Sequence, residues 1–264
     1  MLFRSKKYKI PAGTILEPGG FLTITENEFN RAGDPAAFSL NAAGDEIHLL
    51  SAGVNGAPTG YSHGFRFGPA APGETFGRLI LSTGEEDFPP QVRETMSAPN
   101  AGPRIGPVVI TEIQYNPGPG DVEFVEIRNI SLLTQPLFDP AHATNVWRVS
   151  GANFSFPAGV SLKPGQYAIA ASIDPAAFRA RYNVPEQALV FGPFAGTLQD
   201  SGERIELQRP DEPSAGGNVN FLAVDAVRYN DRGAWPRAAD GAGPSLQKIH
   251  EDAHGADPAN WTAA

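Results

Sequence analysis

Cysteine is absent from the 264 residues. That excludes disulfides and thiolate metal sites, and by itself it assigns no compartment. Long apolar runs are missing too. Nothing reaches the roughly 18 consecutive apolar residues of a membrane-spanning helix, so no membrane span is expected. Positive charge is scarce: 20 Lys and Arg stand against 29 Asp and Glu, a formal net charge of −9. The acidic residues are scattered rather than in blocks. A field of that sign repels phosphate backbones, so no nucleic-acid partner is expected. Met1-Leu2-Phe3-Arg4-Ser5-Lys6-Lys7 has no apolar core of signal-peptide length, so no export address is expected in this chain.

Turn formers are plentiful. The 29 Gly and 25 Pro punctuate the chain at short intervals, which favours many short strands over long helices. A chain of 264 residues can bury a real core and suggests one or two domains.

The strand signal is clearest in residues 108–129. Val108-Val109-Ile110-Thr111-Glu112-Ile113-Gln114-Tyr115 and Glu123-Phe124-Val125-Glu126-Ile127-Arg128-Asn129 flank a turn rich in Pro, Gly, Asn and Asp. Odd positions Val109, Ile113, Val125 and Ile127 can share a buried face, leaving Glu112, Gln114, Glu126 and Arg128 toward water. This is the period of two of half-buried strands and predicts a hairpin.

The chain also repeats. Residues 10–24 carry Pro-Ala-Gly, then Leu-x-Pro-Gly, then an aromatic; residues 156–170 do the same at an offset of 146. Leu40-Asn41-Ala42-Ala43-Gly44-Asp45-Glu46-Ile47-His48-Leu49 parallels Leu198-Gln199-Asp200-Ser201-Gly202-Glu203-Arg204-Ile205-Glu206-Leu207 at an offset of 158, so the second copy holds 12 extra residues. An internal repeat of this length implies two copies of one domain. The extra residues fit a short helix at Asp174-Pro175-Ala176-Ala177-Phe178-Arg179-Ala180-Arg181-Tyr182, with Asp at the N-cap and Pro at the first helical position. Glu26 to Asn30 is its shorter counterpart in the first copy. That copy has no equivalent of the 108–130 hairpin, which leaves apolar faces and strand edges open. Either the chain is a fragment of a longer polypeptide, the favoured reading, or the first copy borrows cover from the second copy or from another subunit. The Pro-rich stretch from Phe88 to Pro107 reads as an interdomain linker or extended segment.

Laid out in order, these pieces resemble the lamin-tail domain of large bacterial surface and secreted proteins. The resemblance runs from Ile110-Thr111-Glu112-Ile113-Gln114-Tyr115-Asn116-Pro117 through Glu123–Asn129 and Phe156-Pro157-Ala158-Gly159. It continues with Leu162-Lys163-Pro164-Gly165-Gln166-Tyr167, Asp200-Ser201-Gly202-Glu203 and Val224-Asp225-Ala226-Val227-Arg228-Tyr229, and ends with Trp235-Pro236 and Asp257-Pro258-Ala259-Asn260-Trp261. It covers about residues 107–262 and implies an immunoglobulin-like β-sandwich without catalytic activity. The expected architecture is all-β: a truncated copy over 1–100, a linker over 101–106, and a complete sandwich with one short helix over 107–264. An extracellular or cell-surface location follows from the resemblance only.

Candidate chemistry is sparse. If Tyr115 pairs with Glu123, Glu112 stands opposite Glu126, and like charges so placed call for a neutralising cation. A metal such as calcium could serve, as could Arg128 or Arg228; no other cofactor is expected. His250-Glu251-Asp252-Ala253-His254 matches the H-E-x-x-H string of zinc proteases, which needs a helix to put both His on one face. Gly255, Asp257 and Pro258 follow at once, so the string reads as a solvated loop. Gly118-Pro119-Gly120-Asp121 and Asp200-Ser201-Gly202 read as hairpin turns, Asp225 with Arg228 as a structural ion pair, and Trp147, Phe154, Phe156 and Tyr167 as core aromatics. The three glycosylation-sequon matches at Asn129, Asn153 and Asn260 read as chance. The expected role is a non-catalytic interaction or adhesion module with a protein or glycan partner. The alternative is a substrate-targeting accessory domain of a secreted hydrolase, or a hydrolase whose site is not recognised.

Overall fold

The structure is a computed structural model that describes residues 8–264; residues 1–7, on which the export expectation falls, lie outside the described residues. Short strands make up most of the regular structure, so the chain is β-rich as expected. No described helix is long and apolar enough to cross a membrane. The chain divides into two compact units. The first holds the described residues up to Gly77 together with Pro90–Gly102; the second holds Arg78–Pro89 and Pro103–Ala264. Residues 78–89, assigned by the sequence to the first copy, therefore pack with the second unit. The stretch 90–102 turns back on the first unit rather than linking out of it: the Gln91 amide donates to the Thr75 carbonyl at 2.8 Å.

In the first unit, α1 (Glu26–Phe29) precedes one antiparallel ribbon, β1 (Asp45–Ala52) and β2 (Pro58–Phe67). Ile47 pairs with Phe65 and Asp45 with Phe67.

The second unit opens with a small hairpin, β3 (Leu79–Ile80) and β4 (Glu86–Asp87), followed by β5 (Val108–Gln114) and β6 (Phe124–Asn129). Two short ribbons come next: β7 (Gln135–Pro136), which pairs with β12 (Ser161–Leu162), and β8 (Phe138–Asp139), which pairs with β9 (His142–Val146). Then come β10 (Arg148–Val149), β11 (Phe154–Ser155), β13 (Tyr167–Ala171), α2 (Pro175–Tyr182), β14 (Leu189–Phe191), β15 (Arg204–Pro210), β16 (Phe221–Arg228), β17 (Leu246–Lys248) and β18 (Trp261–Ala263). They form a six-stranded sheet, β14-β13-β6-β5-β17-β18, and a four-stranded sheet, β11-β10-β15-β16. One core cluster joins them, with Ile110, Ile113, Val125, Ile127 and Ala168 from the larger sheet and Val149, Ile205, Leu207 and Val227 from the smaller. Trp235 and Trp261 enter the same core with ring centres 6.2 Å apart.

The predicted hairpin is present, with one change of phase. A bulge between Ile110 and Glu112 inserts Thr111. An extra residue flips every side chain that follows it. The shared core therefore takes Val108 and Ile110 before the bulge and Ile113 and Tyr115 after it; Val109 is buried but lies outside that core. Gln114, expected toward water, is 3% exposed because its Nε2 donates to the Gly243 carbonyl at 2.8 Å. The predicted helix is α2, and the Asp174 carboxylate caps it by accepting from the Ala176 and Ala177 amides at 2.9 and 3.1 Å.

Tyr115 and Tyr229 stack in the core at 4.5 Å, both fully buried. Their hydroxyls differ. Tyr229 donates to the Gln199 carbonyl at 2.9 Å, whereas the Tyr115 hydroxyl has no partner among the described residues, and burial pushes its pKa up to about 12. Tyr229→Phe is expected to cost about 1 kcal/mol, because the Gln199 carbonyl keeps the Gly202 amide but loses the hydroxyl, and the Glu203 carboxylate loses the same donor at 3.2 Å. Tyr115→Phe removes an unsatisfied polar atom and should be neutral or mildly stabilising. Urea unfolding of both variants checks this; equal losses would contradict it.

Candidate functional site

The outer face of the six-stranded sheet carries a groove of about 950 Å³. Its floor is β5, β6 and β13, one wall is α2, and the rim is Lys163-Pro164-Gly165-Gln166. The sequence builds this locally. Alternation along β6 puts Phe124, Glu126 and Arg128 outward while Val125 and Ile127 enter the core. The same alternation puts Tyr167 and Ile169 outward on β13, where they pair with Arg128 and Glu126. The rim is a tight turn that needs a left-handed residue, and Gly165 supplies it at φ +72°. On the helix side, Phe178 is buried against Phe124, Ile169 and Ala171, and Tyr182 packs at the edge of that cluster. The Tyr182 hydroxyl donates to Asp121 and accepts from the Val122 amide. These contacts pin α2 beside the groove.

Glu112 and Glu126 stand opposite each other, as the hairpin register predicts. The structure gives each carboxylate neutral donors. Ser245 Oγ donates to Glu112 Oε1, and Gln247 Nε2 approaches the same oxygen at 3.3 Å. Thr111, the bulge residue, donates to Glu126 Oε1 at 2.8 Å. Neither expected guanidinium is hydrogen-bonded to the pair. Arg128 is bound to Glu251 and lies 4.8 Å over the Tyr167 ring, while Arg228 pairs across the other sheet with Arg204. Burial, reinforced by the charge of Glu112 and opposed by the Thr111 bond, raises Glu126 to about 7. The groove therefore presents a carboxyl that titrates near neutrality beside Glu112, with Phe124, Tyr167, Phe178 and Tyr182 around them.

The remaining candidates separate. His250 to His254 is turn and bend rather than helix, so the two His do not share a face. Glu251 is taken by Arg128, and His254 Nε2 lies 2.7 Å from Asp87 Oδ2. Burial would raise Asp87, but the His254 bond and charge outweigh it and hold that carboxyl below its ordinary value. No group of three or more His, Cys, Asp or Glu able to hold a metal occurs among the described residues. Asp225 does not pair with Arg228. Residues three apart on a strand face opposite sides, and Asp225 is buried where Arg228 is exposed. Its partner is Lys248, whose fully buried Nζ lies 3.6 Å from Asp225 Oδ2. Tyr167, expected in the core, faces the groove; Trp147 and Phe156 are in the core, with Phe154 at its edge.

Sequence reasoning missed the aromatic wall of the groove. Phe178 and Tyr182, spaced four apart on α2, were the available signal, since that spacing gives a helix one apolar face to lay on a sheet. Also unforeseen was the attachment of the β3–β4 hairpin, held by the Ser82 amide donating to Asp257 Oδ2 at 3.0 Å and by the Asp87–His254 bond.

No family model, curated protein or solved structure matches the chain.

Proposed function

We propose that this chain is a non-catalytic interaction module of the lamin-tail kind, an immunoglobulin-like β-sandwich carried on a larger surface or secreted protein. Its docking site is the outward groove, and its partner is a protein that offers a basic side chain. One observation carries this reading: Glu112 and Glu126 sit opposed on the groove floor with hydrogen-bonding partners that are all neutral, beside the Tyr167 ring. A Lys or Arg head reaching both carboxylates would neutralise them, and its aliphatic stem could lie along the aromatic wall. A cation held between two carboxylates is stabilised in the ground state, which supports binding over turnover.

The proposal is tested by calorimetric titration of the full chain with a short Arg/Lys-containing peptide. Cation binding requires ionised Glu126, so affinity should rise as pH passes upward through about 7. Glu126→Gln should weaken binding by roughly tenfold at pH 8 and remove the pH dependence, a change of about 1.4 kcal/mol. A remote variant, Glu212→Gln, should bind as the unaltered chain does. Equal losses in both variants would reduce the effect to bulk charge and refute the groove.

A further inference from the structure

The two copies share their turns as well as their sequence. Gly13 and Gly159 have φ of +83° and +79°, Gly19 and Gly165 of +75° and +72°, and Gly44 and Gly202 of +112° and +104°. The turn hydrogen bonds correspond too: Gly20 N to Glu17 O at 2.8 Å matches Gln166 N to Lys163 O at 3.0 Å. Gly44 N to Asn41 O at 2.9 Å matches Gly202 N to Gln199 O at 3.1 Å. The β1–β2 ribbon answers to β15–β16, since Ile47 pairs with Phe65 where Ile205 pairs with Val227.

Burial is where the copies part. Phe156, Leu162, Ile205 and Leu207 are at most 2% exposed, while their counterparts Ile10, Leu16, Ile47 and Leu49 are 40%, 57%, 40% and 50% exposed. In the second unit those positions lie in the core completed by β5 and β6, whose Val108, Ile110, Ile113, Val125 and Ile127 fill it. The backbone tells the same story. β13 is a strand because β6 pairs along its whole length, from Tyr167 with Arg128 to Ala171 with Phe124. Its counterpart, residues 21–25, forms no strand. A strand needs a partner for its amide and carbonyl groups, and among the described residues this segment has none in a sheet.

We propose that the first unit is a docking site for a β-hairpin from outside residues 8–264, with alternating apolar residues of the kind found in 108–129. The incoming hairpin pairs along residues 21–25, as β6 pairs along β13. Its apolar face covers Ile10, Leu16, Ile47 and Leu49. Main-chain hydrogen bonds supply affinity, and the alternating side chains set the register. The groove of the second unit plays no part, so the failure of one proposal leaves the other standing.

The test uses the full chain and a synthetic peptide with the sequence of residues 107–130. Hydrogen exchange of fragments spanning 20–25 and 45–67 should slow by roughly tenfold and saturably when the peptide is added. A scrambled peptide should leave both fragments unchanged. The double variant Ile47→Asp/Leu49→Asp alters only exposed positions, keeps the second unit's exchange pattern, and should lose the effect. The proposal is overturned by the absence of slowing up to the solubility limit of the peptide, or by equal slowing with the scrambled one. Self-association of the peptide-free chain that buries Ile47 and Leu49 overturns it as well, by showing a second copy to be the occupant.

Discussion

Asp225→Ala is expected to destabilise the second unit by about 3–5 kcal/mol, the range for breaking a buried ion pair from one side. Three consequences combine. The Lys248 ammonium, fully buried, loses its only counter-charge within 4 Å among the described residues. The Ile110 amide loses the acceptor it reaches at 2.8 Å, and the Ala226 amide loses one at 3.0 Å. These groups come from β5, β16 and β17, so one carboxylate joins the two sheets across their shared core. Lys248→Met should cost less, because Asp225 keeps both backbone donors. The double variant Asp225→Asn/Lys248→Met should recover most of the loss, since the Asn carbonyl oxygen can still accept from Ile110 and no charge remains buried. Urea unfolding of the three variants reads this directly. A loss below about 1 kcal/mol for Asp225→Ala would place the pair among weak surface contacts.

Glu126→Gln is expected to act in the opposite direction and to depend on pH. Glu126 has a folded pKa of about 7 against an ordinary 4.5, so ionising it in the folded state costs free energy. That cost is absent below pH 4.5, grows as pH rises, and is complete above about 7. Its full size is about 3 kcal/mol, at 1.36 kcal/mol for each pH unit. Gln keeps an oxygen to accept from Thr111 and cannot ionise. The variant should match the unaltered chain at pH 4.5 and exceed its stability by about 2–3 kcal/mol at pH 8. Denaturant unfolding at both values decides it; an equal stability difference at the two would refute the titration. The groove would then hold a carboxyl retained at a cost in stability, as expected of a group kept for binding.

Local features were legible because their causes are local. The 108–129 hairpin announced itself by alternation around a Pro-Gly turn, and the opposition of Glu112 to Glu126 followed from counting outward from that turn. α2 was visible in Asp174 and Pro175, which cap and start a helix by their own side-chain chemistry. The Thr111 bulge was not, because an extra residue in one strand leaves no mark on composition, yet it moved Val109 out of the shared core and Ile110 into it. The Asp225–Lys248 pair joins strands in different sheets, and no periodicity within either strand points to the other. Tyr167 was misplaced for a related reason. An aromatic on a strand fits either face, and only the partner strand's register decides which. The exposure of Ile47 and Leu49 could be suspected from the missing hairpin, since a repeat that lacks two strands leaves the facing side chains bare.

The most direct measurement is hydroxyl-radical footprinting of the full chain, which compares equivalent side chains in one sample. The lack of a β5–β6 hairpin in the first copy predicts strong labelling at Leu16, Ile47 and Leu49 and protection at Leu162, Ile205 and Leu207. Equal protection of the two sets would contradict it, because the first copy would then possess the apolar cover that the account assigns to the second alone.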